Sequence, residues 1–363
     1  MLSSSTITAV KEVAPSDIIS KYVDLKKHGV NYTSPCPFHT EKSASFTVND
    51  IKGIYKCFGC GASGDAIKFI MENQRQDFLT AVETIANHAG IAIEYDANID
   101  NEKYQAQKEV KASMSKVLDD VIAVYKQNML QLPSTHPVWQ YLQGRGITSD
   151  IVIEWNIGWA GTNWRNITPR LINDGNFEHA KAMGIIKTAA NESHYDGYRS
   201  RIIIPIQNQY GQNIGIAGRF IQIEDADAGK EYPKWINPTE NELYNKSSQL
   251  FGLNSATKAI KEAGYAWLVE GYFDCIAMHT YGDCNTVASC GTAFTQQQAT
   301  LLKKYTNHVI LLRDNDTAGQ KATSKDLQTL IAAGFKCDVG TLPPAFKDCD
   351  ELIQSLIKTD TNN

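Results

Sequence analysis

The sequence predicts a multidomain chain of mixed α/β and α+β class. Three observations carry that prediction: two cysteine-containing knuckles within the first 95 residues, a pair of β-type runs near residues 201–222, and a strand–helix alternation from about residue 259 onward. The 363 residues are enough for two or three separate cores. A composition of 42% hydrophobic and 21% charged residues is that of a globular protein, and the formal net charge of −5 argues against strong nonspecific binding to nucleic acid, which depends on Lys and Arg neutralising phosphates. Any nucleic-acid contact must be local. The N-terminus, MLSSSTITAVKEV, has neither a basic start nor a continuous apolar core, and no stretch approaches the roughly 18 apolar residues of a membrane span, so a cytoplasmic location is expected. Of the eight cysteines, Cys36, Cys57 and Cys60 have ligand spacing and the other five are scattered and odd in number, which argues against a disulfide framework.

Taken in order, residues 1–95 read as a short helix from Ser16, a strand, a cysteine-rich hairpin and further helices. The stretch DANIDNEKYQAQKEVK, residues 96–111, is charged and nearly free of large aliphatics, and reads as a linker or a solvated helix. Residues 112–258 combine helical patterns such as SKVLDDVIAVYKQNML with a Gly-rich turn in YLQGRGIT and the β-type runs RIIIPIQ and IGIAGRFIQI, an α+β style. From 259 to 352 the runs AWLVEG, YFDCIAMHTYG, CNTVASCG, TQQQATLLKKY, HVILLRDND, AGQKATSKDLQTLIAAG and CDVGTLPP alternate strand and helix. They imply a small parallel sheet flanked by helices, with ligands gathered at the carboxyl ends of its strands. Residues 353–363 are expected to be a tail, and no internal repeat or low-complexity tract is present.

The first constellation is CPFH and CFGC, in which Cys36, His39, Cys57 and Cys60 form two tight pairs separated by 17 residues (40–56). Each pair lets two donors reach one tetrahedral ion, with Gly59 and Gly61 easing the turn, and the strand-like segments between them fold back to bring the pairs together. Four donors with no spare position favour one structural Zn²⁺ over a catalytic one; the alternative is four unrelated small core residues. Phe46, Tyr55 and Phe58, interleaved with Lys42, Lys52 and Lys56, fit either a surface that stacks single-stranded bases or a miniature core with a solvated basic face.

The second constellation is acidic. Glu270 ends AWLV, Asp314 and Asp316 end ILLR, and Asp348 with Asp350 follow a third strand-like run. Asp314 and Asp316 on one side of a strand would lie about 5–7 Å apart and repel by roughly 2–3 kcal/mol at an effective dielectric of 20, so a positive charge is expected between them. In a parallel sheet all these ends share one edge, and such a carboxylate cluster suits Mg²⁺, with coordination places left for water and phosphate. The alternative is a set of surface acids capping the helices that follow.

These stretches together resemble the bacterial DnaG-type DNA primases over nearly the whole chain. YTSPCPFHTEKSASFTV with YKCFGCGASGDAIKFIM is similar to the family's CHC2-type zinc-binding domain, and LVEGYFDCIAM, VASCGTAFT and LLRDNDTAGQKA to its Toprim domain. YLQGRGIT, YRSRIIIPIQNQYGQNIGIAGRF and KWINPTENELYNKSSQLFGLNSA resemble the part of the polymerase core that topoisomerases lack. The resemblance implies a zinc-ribbon DNA-binding domain over 1–95, a linker over 96–111, the N-terminal subdomain of the primase core over 112–258 and a Toprim catalytic domain over 259–352. It also implies that Glu270, Asp314 and Asp316 hold one or two Mg²⁺ or Mn²⁺ ions, with Asp348 and Asp350 nearby and Glu270 assisting proton transfer. Arg199, Arg201, Arg219, Lys234, Asn237 and Lys246 match residues that contact nucleotide or template. The implied reaction is synthesis of short RNA primers on single-stranded DNA from ribonucleoside triphosphates during replication, with a replicative helicase or a separate partner chain as further partners. Two departures stand out. Asn315 occupies a position where the family usually has Gly, and its side chain is expected to point outward. After Glu351 only LIQSLIKTDTNN remains, so the helical bundle and the helicase-docking domain are expected to be absent, either in a minimal primase of a phage, plasmid or transposable element or in a truncated product that needs a partner chain. The competing readings are a Toprim nuclease and a noncatalytic adaptor that binds single-stranded DNA.

Overall fold

The computed structural model describes residues 2–95, 101–223, 231–290 and 293–360. Residues 96–100 of the expected linker, Gly291 and Thr292 of VASCGTAFT, and the last three residues of the expected tail lie outside that range. The chain divides into two units, Met1–Lys108 and Glu109–Asn363.

In the first unit, helices α1 (Ser4–Lys11) and α2 (Pro15–Ile19) precede strands β1 (Lys26–His28), β2 (Asn31–Ser34), β3 (Phe46–Asn49), β4 (Ile54–Cys57) and β5 (Ser63–Gly64), followed by α3 (Ala66–Asn73) and α4 (Phe78–Ala89). The five strands form one antiparallel sheet in sequence order. Helix α2 begins at Pro15, one residue before the expected start, with proline in the first turn where its missing N–H costs nothing. Helix α1 is absent from the sequence expectation because it buries only Thr6 and Val10 and shows no apolar stripe; its start is fixed by Ser3, whose hydroxyl accepts from the Thr6 N–H. Alternation in β3 and β4 sends Phe46, Val48, Tyr55 and Cys57 inward, where the rings of Phe46 and Tyr55 stack at 5.3 Å and Phe69 of α3 meets Tyr55 edge-on at 5.7 Å. Of the three aromatics with two readings, Phe46 and Tyr55 are therefore core, while Phe58 is 72% exposed with the Lys56 ammonium 5.3 Å from its ring centre.

The expected linker is helical from Asn101: α5 runs Asn101–Leu130. Its first two turns are tied to the first unit by buried Glu83, which accepts from the hydroxyls of Tyr95 and Tyr104 and pairs with Lys108.

In the second unit, α6 (Pro137–Gln143), α7 (Ser149–Glu154), β6 (Gly158–Trp159), α8 (Thr168–Asn173), α9 (Phe177–Ala182) and the hairpin β7 (Ile186–Thr188)–β8 (His194–Asp196) lead into β9 (Arg201–Gln207), β10 (Asn213–Phe220) and β11 (Trp235–Ile236). The sheet order is β11-β10-β9-β6. Six of the seven residues of β9 are buried because the strand is covered on both faces: Ile202, Ile204 and Ile206 join one core, Ile203 another. This is why RIIIPIQ reads as a continuous apolar run rather than an alternating one. Pro205 is tolerated because β6 pairs only with Ile202 and Ile203, leaving that side of β9 open further along.

Then α10 (Leu253–Ala263), β12 (Ala266–Val269), α11 (Tyr272–Tyr281), β13 (Thr286–Ala288), α12 (Gln296–Leu302), β14 (His308–Leu312), α13 (Thr317–Ala332), β15 (Lys336–Gly340) and α14 (Cys349–Asp360) build a four-stranded parallel sheet, order β13-β12-β14-β15, flanked by helices. Helix α10 crosses residue 258, where the sequence suggests a division. The expected tail is a correction: residues 353–360 continue α14, because Leu352, Ile353, Leu356 and Ile357 recur at helical spacing and join the core that also holds Ile202 and Val269. Among the described residues no helix is long and apolar enough to cross a membrane.

Candidate zinc centre and acidic cleft

In the first unit, β2 delivers Cys36 and His39 just past its end, and β4 ends on Cys57 with Cys60 three residues later. The pairing Phe46↔Cys57 closes the hairpin that brings them together. One donor atom from each of the four lies within 4.8 Å of the others. The Cys36–Cys60 sulfur separation is 3.8 Å, and Cys57 Sγ is 3.9 Å from His39 Nδ1. A tetrahedron with metal–sulfur bonds of about 2.3 Å has edges of about 3.8 Å, so these two separations match Zn²⁺ coordination and the whole set lies close enough to share one ion. Backbone N–H groups of Phe38, Gly59 and Cys60 point at the Cys36 and Cys57 sulfurs at 3.3–3.4 Å. Burial resists ionisation of Cys57, but the Ser45 hydroxyl and these N–H groups outweigh it and bring the thiol down to about 6. Burial pushes the Cys36 thiol up to about 12, and the crowding sulfurs of Cys57 and Cys60 act in the same direction; a dication among these donors would reverse that repulsion. Gly61 has φ of +76°, and a Cβ at Gly59 would sit 2.8 Å from His39 Nε2, so both glycines are required.

Glu41, unremarked in the sequence, organises this centre. Its carboxylate lies 3.3 Å from His39 Nε2, accepts from the Cys36 N–H at 2.8 Å and takes the Ser45 hydroxyl at 2.7–2.8 Å. The Ser45 hydroxyl holds the carboxyl below its ordinary range. With Nε2 so engaged, His39 presents Nδ1 to the metal.

In the second unit, a cleft of about 350 Å³ opens at the carboxyl ends of the parallel strands. Glu270 follows β12, Asp314 follows β14, and Asp348 and Asp350 stand at the start of α14; all four line the cleft. A fifth acid lines it as well: Asp274, on the first turn of α11. Its Oδ2 accepts from the Gly271 N–H at 3.0 Å and its Oδ1 from the Asp350 N–H at 3.2 Å, tying the turns that carry Glu270 and Asp350. The spacing Glu270 to Asp274, i and i+4 across a strand-to-helix turn, was the signal available for it in the sequence. Burial, and then the neighbouring Asp348 carboxylate, raise Asp274 from 3.8 to about 6. Burial, with Asp274, Glu270, Asp348 and Asp316 around it, raises Asp314 to about 7. Asp350 is 2% exposed and pairs with the Arg145 guanidinium. An all-oxygen donor set of this kind fits a hard divalent cation. The acids are spread along the cleft: among the described residues only the Cys/His set brings three or more such donors within 4.8 Å.

Two expectations are corrected here. Strand β14 ends at Leu312, so Asp314 and Asp316 do not share a strand face; Asp316 is exposed and caps α13, accepting from the Gly319 N–H at 2.7 Å, and it does not line the cleft. Asn315 does not simply point outward: its Nδ2 donates to the carbonyls of Leu342, Pro343 and Phe346 at 2.9–3.2 Å, and its N–H donates to Lys347 O at 2.8 Å, which fastens the loop before Asp348 to the Asp314 turn.

The same cleft holds basic residues. Arg219, Lys234 and Asn237 line the cleft together with Arg145, which the sequence reasoning missed. Arg145 lies 4.9 Å from the Tyr141 ring centre and 5.0 Å from that of Phe273. Arg219 donates Nε–H to the Tyr141 hydroxyl at 3.0 Å and leaves a buried Nη1 without a hydrogen-bond partner among the described residues. Burial, and then the cations Arg219, Lys347 and Arg145, hold Lys234 below its ordinary range. The Tyr272 hydroxyl donates to Asn237 Oδ1 at 3.0 Å, which leaves the amide N–H₂ for other partners. The remaining three cations are not brought to the cleft. Arg201 is 2% exposed and donates to the carbonyls of Gly218 and Pro233, so it braces β9 against β10 and the following loop. Arg199 stacks 4.3 Å from Trp164 and donates to the Tyr232 hydroxyl. Lys246 begins a 3-10 turn, near enough for its charge to act on Cys290, which does line the cleft.

Residues 2–101 match the family model for the CHC2 zinc finger, residues 124–257 that for the DNA primase catalytic core, N-terminal domain, and residues 267–353 a Toprim-like model. The crystal structure of the Aquifex aeolicus primase, comprising zinc-binding and RNA polymerase domains, matches with a TM-score of 0.61 and 32% identity, over 99% of this chain and 84% of that one. The chain belongs to the DnaG-type DNA primase family. Within that family, the DNA primase of Clostridium acetobutylicum is 37% identical over 338 residues, 93% of this chain and 54% of that protein, and the DNA primase of Escherichia coli K12 is 35% identical over 318 residues, 87% of this chain and 53% of that protein. The chain thus spans about half the length of these primases. A DnaG primase catalytic domain solved with single-stranded DNA matches at a TM-score of 0.61 and 29% identity over 70% of this chain.

Proposed function

We propose that this chain carries the primer-synthesising chemistry of a DNA primase: it joins ribonucleotides into short RNA on a single-stranded DNA template. The observation that carries the reading is one cleft lined by five carboxylates together with Arg145, Arg219 and Lys234. A divalent ion, Mg²⁺ or Mn²⁺, would supply the Lewis acidity that neutralises a triphosphate leaving group and acidifies the attacking 3′-hydroxyl. Glu270, Asp274, Asp314, Asp348 and Asp350 would hold such ions; Asp316 contributes charge from its capping position rather than as a direct ligand. Arg219 and Arg145 offer fork-shaped donors for phosphate oxygens, and Lys234, already crowded by like charge, gains most from an anion beside it. The N–H₂ of Asn237, in the cleft lining, is assigned to donate to sugar or phosphate. Glu270 accepts the proton released from the primer terminus. Arg199, stacked on Trp164, and Lys246 lie outside the cleft and are assigned to the template path, whereas Arg201 acts by holding the strands that present Arg219. In the first unit, exposed Phe58 with Lys42, Lys52 and Lys56 supplies a local single-strand contact compatible with the acidic net charge.

The domains follow the same reading: zinc ribbon over 1–95, core subdomain over 112–258 and Toprim domain over 259–352. The test is primer synthesis on single-stranded DNA with labelled ribonucleotides and Mg²⁺ or Mn²⁺, comparing the parent with Asp314→Asn and with Glu270→Gln. Short RNA from the parent alone supports the reading. Nicking of supercoiled plasmid without RNA synthesis would favour a nuclease, and single-strand binding without either activity an adaptor.

A further inference from the structure

A buried ion pair lies directly behind the acidic cleft and takes no part in the chemistry proposed above. Arg313, immediately before Asp314, is 7% exposed, and Asp326, on α13, is fully buried. Their side chains meet at 2.5 Å, from guanidinium Nη2 to carboxylate Oδ2. The other arm of the guanidinium, Nη1, donates at 3.1 Å both to the Val269 carbonyl and to the Ser289 hydroxyl. Asp326 uses its second oxygen to accept the Phe294 N–H at 2.8 Å. One pair therefore ties the carboxyl ends of three adjacent strands, β12, β13 and β14, to one another and to α13. Each tie falls on the residue just before one that lines the cleft: Val269 before Glu270, Ser289 before Cys290, and Arg313 itself before Asp314. The Cys290 N–H completes the frame by donating to the Glu270 carbonyl at 3.0 Å.

Stability alone does not account for this arrangement. Burying an ion pair costs desolvation that apolar residues of similar size would not incur, and Arg313 keeps a buried Nε–H with no partner among the described residues. What the planar fork does provide is fixed geometry, because Nη1 and Nη2 cannot both keep their partners if one strand end slides past another. We propose that Arg313 and Asp326 are positioning residues that set the spacing between Glu270 and Asp314, and through it the affinity of the cleft for a divalent cation. The proposal rests on the reading that these two acids hold metal.

The experiment is a Mn²⁺ titration of the zinc-loaded full chain, followed by electron paramagnetic resonance, in which the Zn²⁺ centre is silent. The variants are Arg313→Met with Asp326→Leu, which replaces the pair by apolar side chains of similar bulk, and Arg313→Lys, which keeps the charge and loses the fork. The double variant is expected to melt cooperatively and to keep one Zn²⁺ per chain while its Mn²⁺ affinity falls at least tenfold; Arg313→Lys is expected to lose several-fold. A folded double variant that binds Mn²⁺ within twofold of the parent overturns the proposal. If the double variant does not fold, Arg313→Lys binding within twofold of the parent does the same. A parent that binds no Mn²⁺, with Asp314→Asn indistinguishable from it, overturns the metal reading itself and this inference with it.

Discussion

Replacing Gly319 by alanine sets two effects of similar size against each other. Gly319 lies in the first turn of α13, and alanine there would ordinarily stabilise the helix by about 1 kcal/mol. A Cβ at this position would stand 2.2 Å from the carbonyl oxygen of Asp314 and 3.1 Å from its carbonyl carbon, whereas ordinary contact begins at 3.4 Å. Backbone must therefore give way by roughly 1.2 Å, the difference between 3.4 and 2.2 Å, and because neither partner is a flexible side-chain tip, overpacking of about 1–3 kcal/mol is expected. Set against the helix gain, the contact leaves a net loss of up to about 2 kcal/mol, or up to roughly 8 °C in the melting temperature of a unit this size. The displaced atom belongs to Asp314, so metal binding suffers beyond the stability loss; misplacing a reacting group by 1 Å costs on the order of a hundredfold in rate. Calorimetry with and without Mn²⁺, alongside primer synthesis, reads both effects. A Gly319→Ala protein that melts higher than its parent and binds Mn²⁺ equally well would refute the close approach of α13 to Asp314 and the reasoning built on it.

The raised carboxyls of Asp274 and Asp314 give the metal-free protein a defined pH response. Because both are raised above their unfolded values, the stability they contribute is fully present below about pH 4 and is lost as pH rises through about 6 for Asp274 and about 7 for Asp314. For fully buried Asp274 the displacement from 3.8 to about 6 corresponds to about 3 kcal/mol, so Asp274→Asn should melt with a flatter pH dependence between about 4 and 6 than the parent, and saturating Mg²⁺ should flatten the parent's own. Glu41→Gln keeps the shape but not the charge behind His39, and should weaken Zn²⁺ about 10- to 100-fold in a chelator competition while leaving the spectrum of the loaded ribbon intact. Asn315→Ala removes the side-chain donors that fasten the loop before Asp348, and should lower Mn²⁺ affinity several-fold with little change in melting temperature; an unchanged affinity would show that the loop holds its place without them.

Much of the architecture was legible because it rests on strong local patterns. The zinc donors announce themselves through two short spacings and an intervening hairpin, and Glu270 and Asp314 through abrupt carboxylates at the ends of apolar runs. What escaped notice depends on neighbours remote in sequence. Asp274 looks like an ordinary first-turn helical acid until the Asp350 N–H and the Gly271 N–H are seen to converge on it. Arg145 sits in a Gly-rich turn more than a hundred residues from the acids it faces. Arg201 carries a charge that suggests a surface, yet the carbonyls of Gly218 and Pro233 satisfy it in the interior. Strand spacing would set Asp316 beside Asp314, but β14 ends at Leu312, two residues before Asp314, and the Asp316 carboxylate becomes a helix cap. Helix α1 buries too little to leave a periodic trace.

Strand β9 has a mechanical consequence. With Ile202, Ile204 and Ile206 in one core and Ile203 in the other, it is a common wall, and the core on its first face runs on without a break to Val269, Leu312 and Ile353 beneath the acids. The sheet that presents Arg219 and the sheet that presents Glu270 and Asp314 therefore share one apolar interior and should lose their order in a single cooperative step rather than one after the other. Shared packing of this kind ties Arg219 to Glu270 and Asp314 through one interior, so that on the proposed reading nucleic acid would move through the cleft while the side chains that line it keep their spacing.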